Sequence, residues 1–196
     1  MHKLPREFYM GDTLEISRAL IGRLLVRSGP DGVAAGRIVE TEAYLGAMDA
    51  AAHSYKRSPS GRTNIQYGPG GYAYVYLIYG MYCCMNVVTG EEGRPECVLI
   101  RALEPIEGIE LMQRRRRTDR LRSLCSGPGK LCMALDIDRS LYGADLCGDA
   151  LYIAEDGAPQ PEIITTPRIN IDYAGEDVAK PWRFVAKGSP FVSVKP

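Results

Sequence analysis

The amino-acid sequence predicts an α+β fold, a single mixed domain over residues 1–196 around a curved, largely antiparallel β-sheet with peripheral helices. Three observations carry that expectation. Short apolar segments of strand length recur from residue 23 to residue 187, no long helix sits regularly between them, and no repeat or heptad is present. A chain of 196 residues with 45% hydrophobic content can bury about 70% of its unfolded surface in one core.

Asp12 followed by Glu15 resembles a capping box, and Leu14, Ile16, Ala19 and Leu20 give a short amphipathic helix ending near Gly22. Strands follow at 23–27 and 33–42 around the turn Gly29-Pro30-Asp31-Gly32. Residues 58–71 are rich in Ser, Gly, Pro, Arg and Asn and read as an irregular loop within the domain. Strands at 72–77 and 82–88 turn at Gly80, and another covers 96–103. A helix is expected over 105–117, with Ile106, Ile109 and Met112 on its apolar side. Ser126 is placed to cap a helix over 130–135, and later strands are expected at 151–154, 163–171 and 182–187.

Composition narrows the function classes. The six cysteines form no CxxC pair, and adjacent Cys83 and Cys84 on a strand point to opposite faces, so they read as reduced, mostly buried thiols of a cytosolic protein. The N-terminal residues lack the apolar core of a secretory signal, and no apolar run reaches the roughly 18 residues of a membrane span. A formal net charge of zero argues against a surface that coats a long polyanion, but not against a local basic face. Arg114, Arg115, Arg116, Arg117, Arg120 and Arg122 supply such a face, although a solvated helix end is the more frequent explanation of such a run.

The positions able to carry chemistry cluster in two segments. RIVETEAYLG, residues 37–46, is an apolar strand that runs into Glu40, Glu42 and Tyr44. A carboxylate among aromatic rings suits water activation beside a flat, stacked substrate, whereas a solvated strand end is the bland reading. YAYVYLIYGMYCCMNVV, residues 72–88, carries five tyrosines. Alternation puts Tyr72, Tyr74 and Tyr76 on one face, as a half-buried wall or a stacking platform. Tyr79, before Gly80 at a tight turn, projects from the sheet and could wedge between base pairs.

Arg101 alternates with Leu99 and Leu103 on one strand face, so a buried arginine there needs Glu40 or Glu42 as its partner, for a catalytic or a purely structural reason. His53 has no second His or spaced Cys beside it to complete a zinc site, and the H-x-E and P-C-x-x-C pattern of zinc deaminases is absent; stacking or hydrogen bonding is expected instead. Ser126-Gly127-Pro128-Gly129-Lys130 fails as a Walker motif, since Leu131 follows the lysine, but leaves a helix start able to hold one backbone phosphate.

The segments RIVETEAYLG, YVYLIYGMYCCMN, CVLIRALEP, CSGPGKLC and RFVAKGSPFVSV, in order along nearly the whole chain, resemble the alkyladenine (3-methyladenine) DNA glycosylase family. The resemblance implies that Glu42 activates water for attack on the sugar C1′, with Arg101 and nearby backbone positioning that water. It implies a flipped base held by Tyr44, His53 and Tyr76, with Asn86 crowding the amino group of guanine. Tyr79 would enter the minor groove with Met81 beside it, and Ser126, Gly127 and Lys130 would contact phosphate. The sequence departs from the family pattern before Tyr72, where an Arg-Asn and a Met-Phe pair are expected and Arg62-Thr63-Asn64 and Gln66-Tyr67 stand.

The expected activity is release of 3-methyladenine-type purines, extending to hypoxanthine and ethenoadenine. With no lysine placed as a Schiff-base nucleophile, hydrolysis without strand cleavage is expected. The expected partner is double-stranded DNA containing damaged purines, bound by a monomer that uses no cofactor, metal or membrane. Its compartment would be the cytoplasm and nucleoid in a bacterium and the nucleus in a eukaryote. Two rival readings stay open at this stage: a non-catalytic nucleic-acid binding module using the tyrosine face, and a small-molecule hydrolase pairing Glu40 with Glu42.

Overall fold

The segment that holds both glutamates forms the longest strand, β3 (Gly32–Tyr44), buried almost throughout from Ala34 to Ala43. The computed structural model describes residues 1–196. Ahead of β3 lie β1 (His2–Lys3), α1 (Thr13–Leu20) and β2 (Leu24–Gly29). After it come β4 (Ala73–Ile78), β5 (Tyr82–Thr89), β6 (Glu96–Glu107), α2 (Ile109–Arg116), α3 (Pro128–Leu135), β7 (Leu151–Glu155), β8 (Ile163–Thr166) and β9 (Arg183–Ala186). These strands build one 9-stranded sheet in the order β1-β7-β2-β3-β6-β5-β4, with β9 attached to β3 and β8 to β9. All pairings are antiparallel, as the sequence leads one to expect.

β3 positions the site because it changes neighbours along its length. One edge follows β6, while the other pairs with β2 from Gly32 to Arg37 and with β9 from Glu40 to Glu42. Register shifts against β6 pass over Val39 on one strand and Arg101 on the other. Bulges of this kind bend a strand and re-aim side chains. They also interrupt the expected alternation on β6: Leu99 and Arg101 border the cleft described below, while Leu103 packs in the main core.

Helix α1 forms where the capping signal stands, since the Asp12 carboxylate accepts from Leu14 N–H at 2.9 Å and Glu15 N–H at 3.0 Å. Ile16 and Leu20 face the core, and Ser17 and Thr41 exchange hydrogen bonds that tie the helix to the back of β3. Helix α2 begins later than the sequence suggests. β6 continues through Pro105 and Ile106 to Glu107, and Gly108 makes the corner with φ 70° where a Cβ would lie 2.3 Å from the Val33 carbonyl oxygen. Ile106 is therefore a half-exposed strand residue, while Met112 is fully buried on the helix.

Helix α3 starts at Pro128, two residues before the expected boundary, because proline suits the first helical turn. Its N-cap is Gly127, so Ser126 does not cap it; Ser126 forms a β-bridge with Ala102 instead. The strand expected over 163–171 stops at Thr166, where Pro167 removes a ladder donor and frees 167–171 to cross over the site. The 58–71 loop contains a 3₁₀ helix at Gly61–Tyr67, and two further, unforeseen 3₁₀ turns meet at a kink at Gly175 within Asp172–Ala179. All six cysteines are free thiols, four of them buried. No helix is long and apolar enough to cross a membrane.

Candidate functional site

Glu40 and Glu42 lie two residues apart on β3 and both reach Arg101, which donates from Nε to Glu40 at 3.0 Å and from Nη1 to Glu42 at 3.2 Å. Both carboxylates are fully buried. Their hydrogen bonding differs. Glu40 also accepts from Arg183 Nε at 2.8 Å, from Ser193 Oγ at 2.8 Å and from Ser193 N–H at 2.6 Å. Three of the four donors meet Glu40 Oε1 and one meets Oε2, and together they anchor β9 and the C-terminal segment. Bonds to two guanidiniums and to Ser193 give Glu40 a structural role and argue against an acid–base pair with Glu42.

Glu42 accepts three hydrogen bonds: from Arg101, from the Tyr44 hydroxyl at 2.8 Å and from the Ile169 N–H at 2.7 Å. One acceptor position is left for a further donor. Tyr44 is a reliable donor, because burial and the neighbouring Glu42 charge hold its hydroxyl well above the usual titration range. Arg101, Tyr44 and Ile169 all border a cleft of about 360 Å³ that also reaches His53, Tyr76 and Tyr79. The carboxylate is thus fully buried behind donors that themselves border the cleft.

Sequence reasoning missed the arginine that supports this arrangement. Arg168 and Asp49, both fully buried in their side chains, form a two-pronged ion pair with contacts of 2.5 and 2.8 Å. The guanidinium is stacked between the rings of Tyr44 and Trp182, 4.8 and 4.9 Å from their centroids, and donates to the Ala43 carbonyl at 3.0 Å. It thereby fixes Tyr44 and delivers the adjacent Ile169 N–H to Glu42. Asp49 in turn accepts from Leu45 and Ala51 N–H groups, which shapes the loop carrying His53. The only signal in the sequence is a lone arginine after Thr166-Pro167, with nothing to indicate its distant partner.

Beside the cleft is a smaller cavity of about 50 Å³, and the two share Tyr44, His53, Tyr76 and Tyr173 on their walls. Asn86, Gln66 and Cys97 close its far end. Tyr72, Tyr74 and Tyr76 do share a sheet face, with Tyr74 the most buried. His53 meets Tyr74 OH through Nδ1 at 2.9 Å and the Tyr76 ring edge-on at 4.7 Å between centroids. Burial, helped by Arg62 and Arg57, lowers the His53 pKa to about 4, so the imidazole is neutral near pH 7. Asn86 is buried and donates to the Tyr74 carbonyl at 3.0 Å. The expected pocket residues therefore converge, joined by Tyr74 of the expected tyrosine face and by Gln66 and Tyr173, neither of which was expected in the pocket from the sequence.

At the mouth of the cleft the β4–β5 hairpin projects Tyr79, 77% exposed, and Met81, 67% exposed. Tyr79 adopts φ 53° and Gly80 φ 70°. A non-glycine residue in the left-handed region carries backbone strain of about 1–3 kcal/mol, which the tight turn imposes. Next to the hairpin, Gly127, Gly129 and Lys130 at the start of α3 border a groove with Tyr82, Met133 and Arg116, whose guanidinium donates to the Leu124 carbonyl at 3.0 Å. Ser126 lies just behind, 3.5 Å from Lys130 Nζ. Of the remaining arginine run, Arg114, Arg117, Arg120 and Arg122 are exposed, whereas Arg115 donates to the Ala134 carbonyl.

Comparison with known proteins gives this geometry a family. The profile of Methylpurine-DNA glycosylase (MPG) matches residues 7–190. The chain belongs to the methylpurine-DNA glycosylase family. Relatives with the provisional name 3-methyladenine DNA glycosylase match over nearly full length. A protein of Alkaliphilus oremlandii is 51% identical over 98% of this chain and 100% of its own. One of Methanocella arvoryzae is 52% identical over 98% and 96%, and one of Desulfitobacterium hafniense 49% identical over 100% of both.

Within this family member, the Arg168–Asp49 pair is testable as the support of the site. Arg168→Ala leaves Asp49 charged and buried, and is expected to cost about 3–5 kcal/mol of stability in denaturant titration. Arg168→Ala with Asp49→Ala should recover part of that loss. Equal loss in the single and double variants would contradict an electrostatic origin.

Proposed function

We propose that this chain is a monofunctional DNA glycosylase that extrudes damaged purines from duplex DNA and hydrolyses the N-glycosidic bond with water activated by Glu42. The observation that carries the reading is the single vacant acceptor position on a buried carboxylate whose three donors all border the aromatic cleft. A water held there loses a proton to Glu42 as its oxygen bonds to C1′, and the electron pair of the glycosidic bond leaves with the base. Arg101 donates to the carboxylate and itself borders the cleft. Tyr44, His53 and Tyr76 serve as walls for the extruded base, and neutral His53 stacks without repelling a cationic purine.

Charge explains the preferred substrate class. A purine alkylated at N3 or N7 carries positive charge and leaves as a neutral base, so a positioned, activated water suffices. Hypoxanthine and ethenoadenine are neutral and gain more from protonation of the leaving base, which makes them slower substrates on this reading. Damaged or mispaired bases also cost less to unstack, so selection begins with flipping. Tyr79 and Met81 are positioned to fill the gap left in the duplex, and the α3 groove with Arg116 and Lys130 to hold a phosphate, by a monomer acting on one lesion.

The test is release of 3-methyladenine from alkylated duplex DNA, followed by separate treatment of the product with alkali. Base release with strand breaks only after alkali is expected. Duplex binding without release of any methylated purine would instead support a non-catalytic binding module, and breaks without alkali would contradict simple hydrolysis.

Tyr79 separates fold from function. Because glycine adopts φ 53° without strain, Tyr79→Gly is expected to leave the melting temperature unchanged or raise it, while weakening lesion-duplex affinity at least about tenfold through loss of the aromatic wedge. Unchanged affinity in fluorescence anisotropy would remove Tyr79 from the DNA interface.

A further inference from the structure

Gln66 is 1% exposed and lines the small cavity, and it is the one polar side chain there with a buried oxygen lacking any hydrogen-bond partner. The neighbouring contacts are consistent with an amide whose oxygen is the unpartnered end. The Tyr74 carbonyl can only accept, so Asn86 must direct Nδ2 to it, at 3.0 Å, and Oδ1 toward Cys97. Burial pushes the Cys97 thiol up to about 12, so it keeps its proton and donates it to Asn86 Oδ1 at 3.9 Å. The sulfur then accepts from Gln66 Nε2 at 3.3 Å. Gln66 Oε1 is left as a buried acceptor at the closed end of the site.

A buried acceptor without a donor is unfavourable, and a ligand that supplies the donor recovers the lost interaction. The cavity, about 50 Å³, is too small for a purine but large enough for the edge of one. The ring would lie in the adjoining cleft against the shared walls Tyr44, His53 and Tyr76. Enzymes that flip bases read them at the Watson–Crick edge, so that edge enters the closed end first.

We propose that Gln66 is a specificity-determining residue whose Oε1 accepts an N–H from the Watson–Crick edge of the extruded purine, so that lesions retaining such a donor are preferred over lesions that have lost it. The inference rests on the glycosylase reading above. Alkylated adenines keep the 6-amino group, and hypoxanthine keeps N1–H. Ethenoadenine keeps neither, because its bridge ties N1 to N6. It would bury the Gln66 oxygen against C–H groups and leave it unpaired.

The test compares wild type, Gln66→Met and Gln66→Leu for dissociation constants of matched duplexes carrying hypoxanthine or ethenoadenine, with 3-methyladenine release from alkylated DNA measured alongside. Met preserves side-chain length and Leu tests a second apolar shape, so a folding defect in one leaves the other informative, as melting curves will show. The ratio of hypoxanthine to ethenoadenine affinity is expected to fall at least about fivefold in both variants, chiefly through weaker hypoxanthine binding. A smaller fall in a folded variant overturns the proposal while wild-type release of 3-methyladenine stands. Absence of that release from wild type overturns the glycosylase reading instead.

Discussion

Arg101 holds two buried carboxylates with one guanidinium, and the rest of the site is arranged around that constraint. Two negative charges on neighbouring same-face positions of a buried strand repel one another and lose their hydration, a cost that geometry and further donors must offset. The fold offsets it differently for each. Glu40 takes Arg183 and Ser193 in addition, which pins β9 and the C-terminal segment against β3. Glu42 takes a tyrosine hydroxyl and one backbone N–H in addition, three bonds in all. The bulge that leaves Arg101 without a ladder partner lets one side chain serve both.

A second buried pair, Arg168 with Asp49, carries that arrangement outward. Arg168 packs between Tyr44 and Trp182, and its neighbour Ile169 supplies the N–H that reaches Glu42. Asp49 organises the loop that ends at His53. Pocket wall and carboxylate are therefore set by the same network, so damage to one displaces the other. The Asn86–Cys97–Gln66 chain orders the far end of the small cavity and leaves one amide oxygen there without a partner.

Local signals were enough to read the sheet, the α1 cap at Asp12, the tyrosine face and the Glu–Arg partnership, because each depends on residues a few positions apart or on simple alternation. The exposed turn at Tyr79-Gly80 was equally legible. Ser126 was misread as a cap because Gly127 and Pro128 already provide the start of α3, and the helix assigned to 105–117 was started too early because Pro105 and Ile106 fit a strand end as well as a first helical turn. Leu103 left its expected face because bulges have no sequence signature here. Arg168, Asp49 and Gln66 stayed hidden for another reason: their importance lies in partners far away along the chain, and no local pattern marks a buried ion pair or an orphaned amide oxygen.

The division of labour between the glutamates is tested most directly by single-turnover release of a methylated purine from duplex DNA by wild type, Glu40→Gln and Glu42→Gln, with melting temperature and lesion-duplex affinity measured on each. Glu42→Gln is expected to stay folded and bind the lesion duplex while releasing base at least about a hundredfold more slowly, and Glu40→Gln to lose stability first. Release at the wild-type rate by a folded Glu42→Gln variant would contradict the assignment of Glu42 as the base.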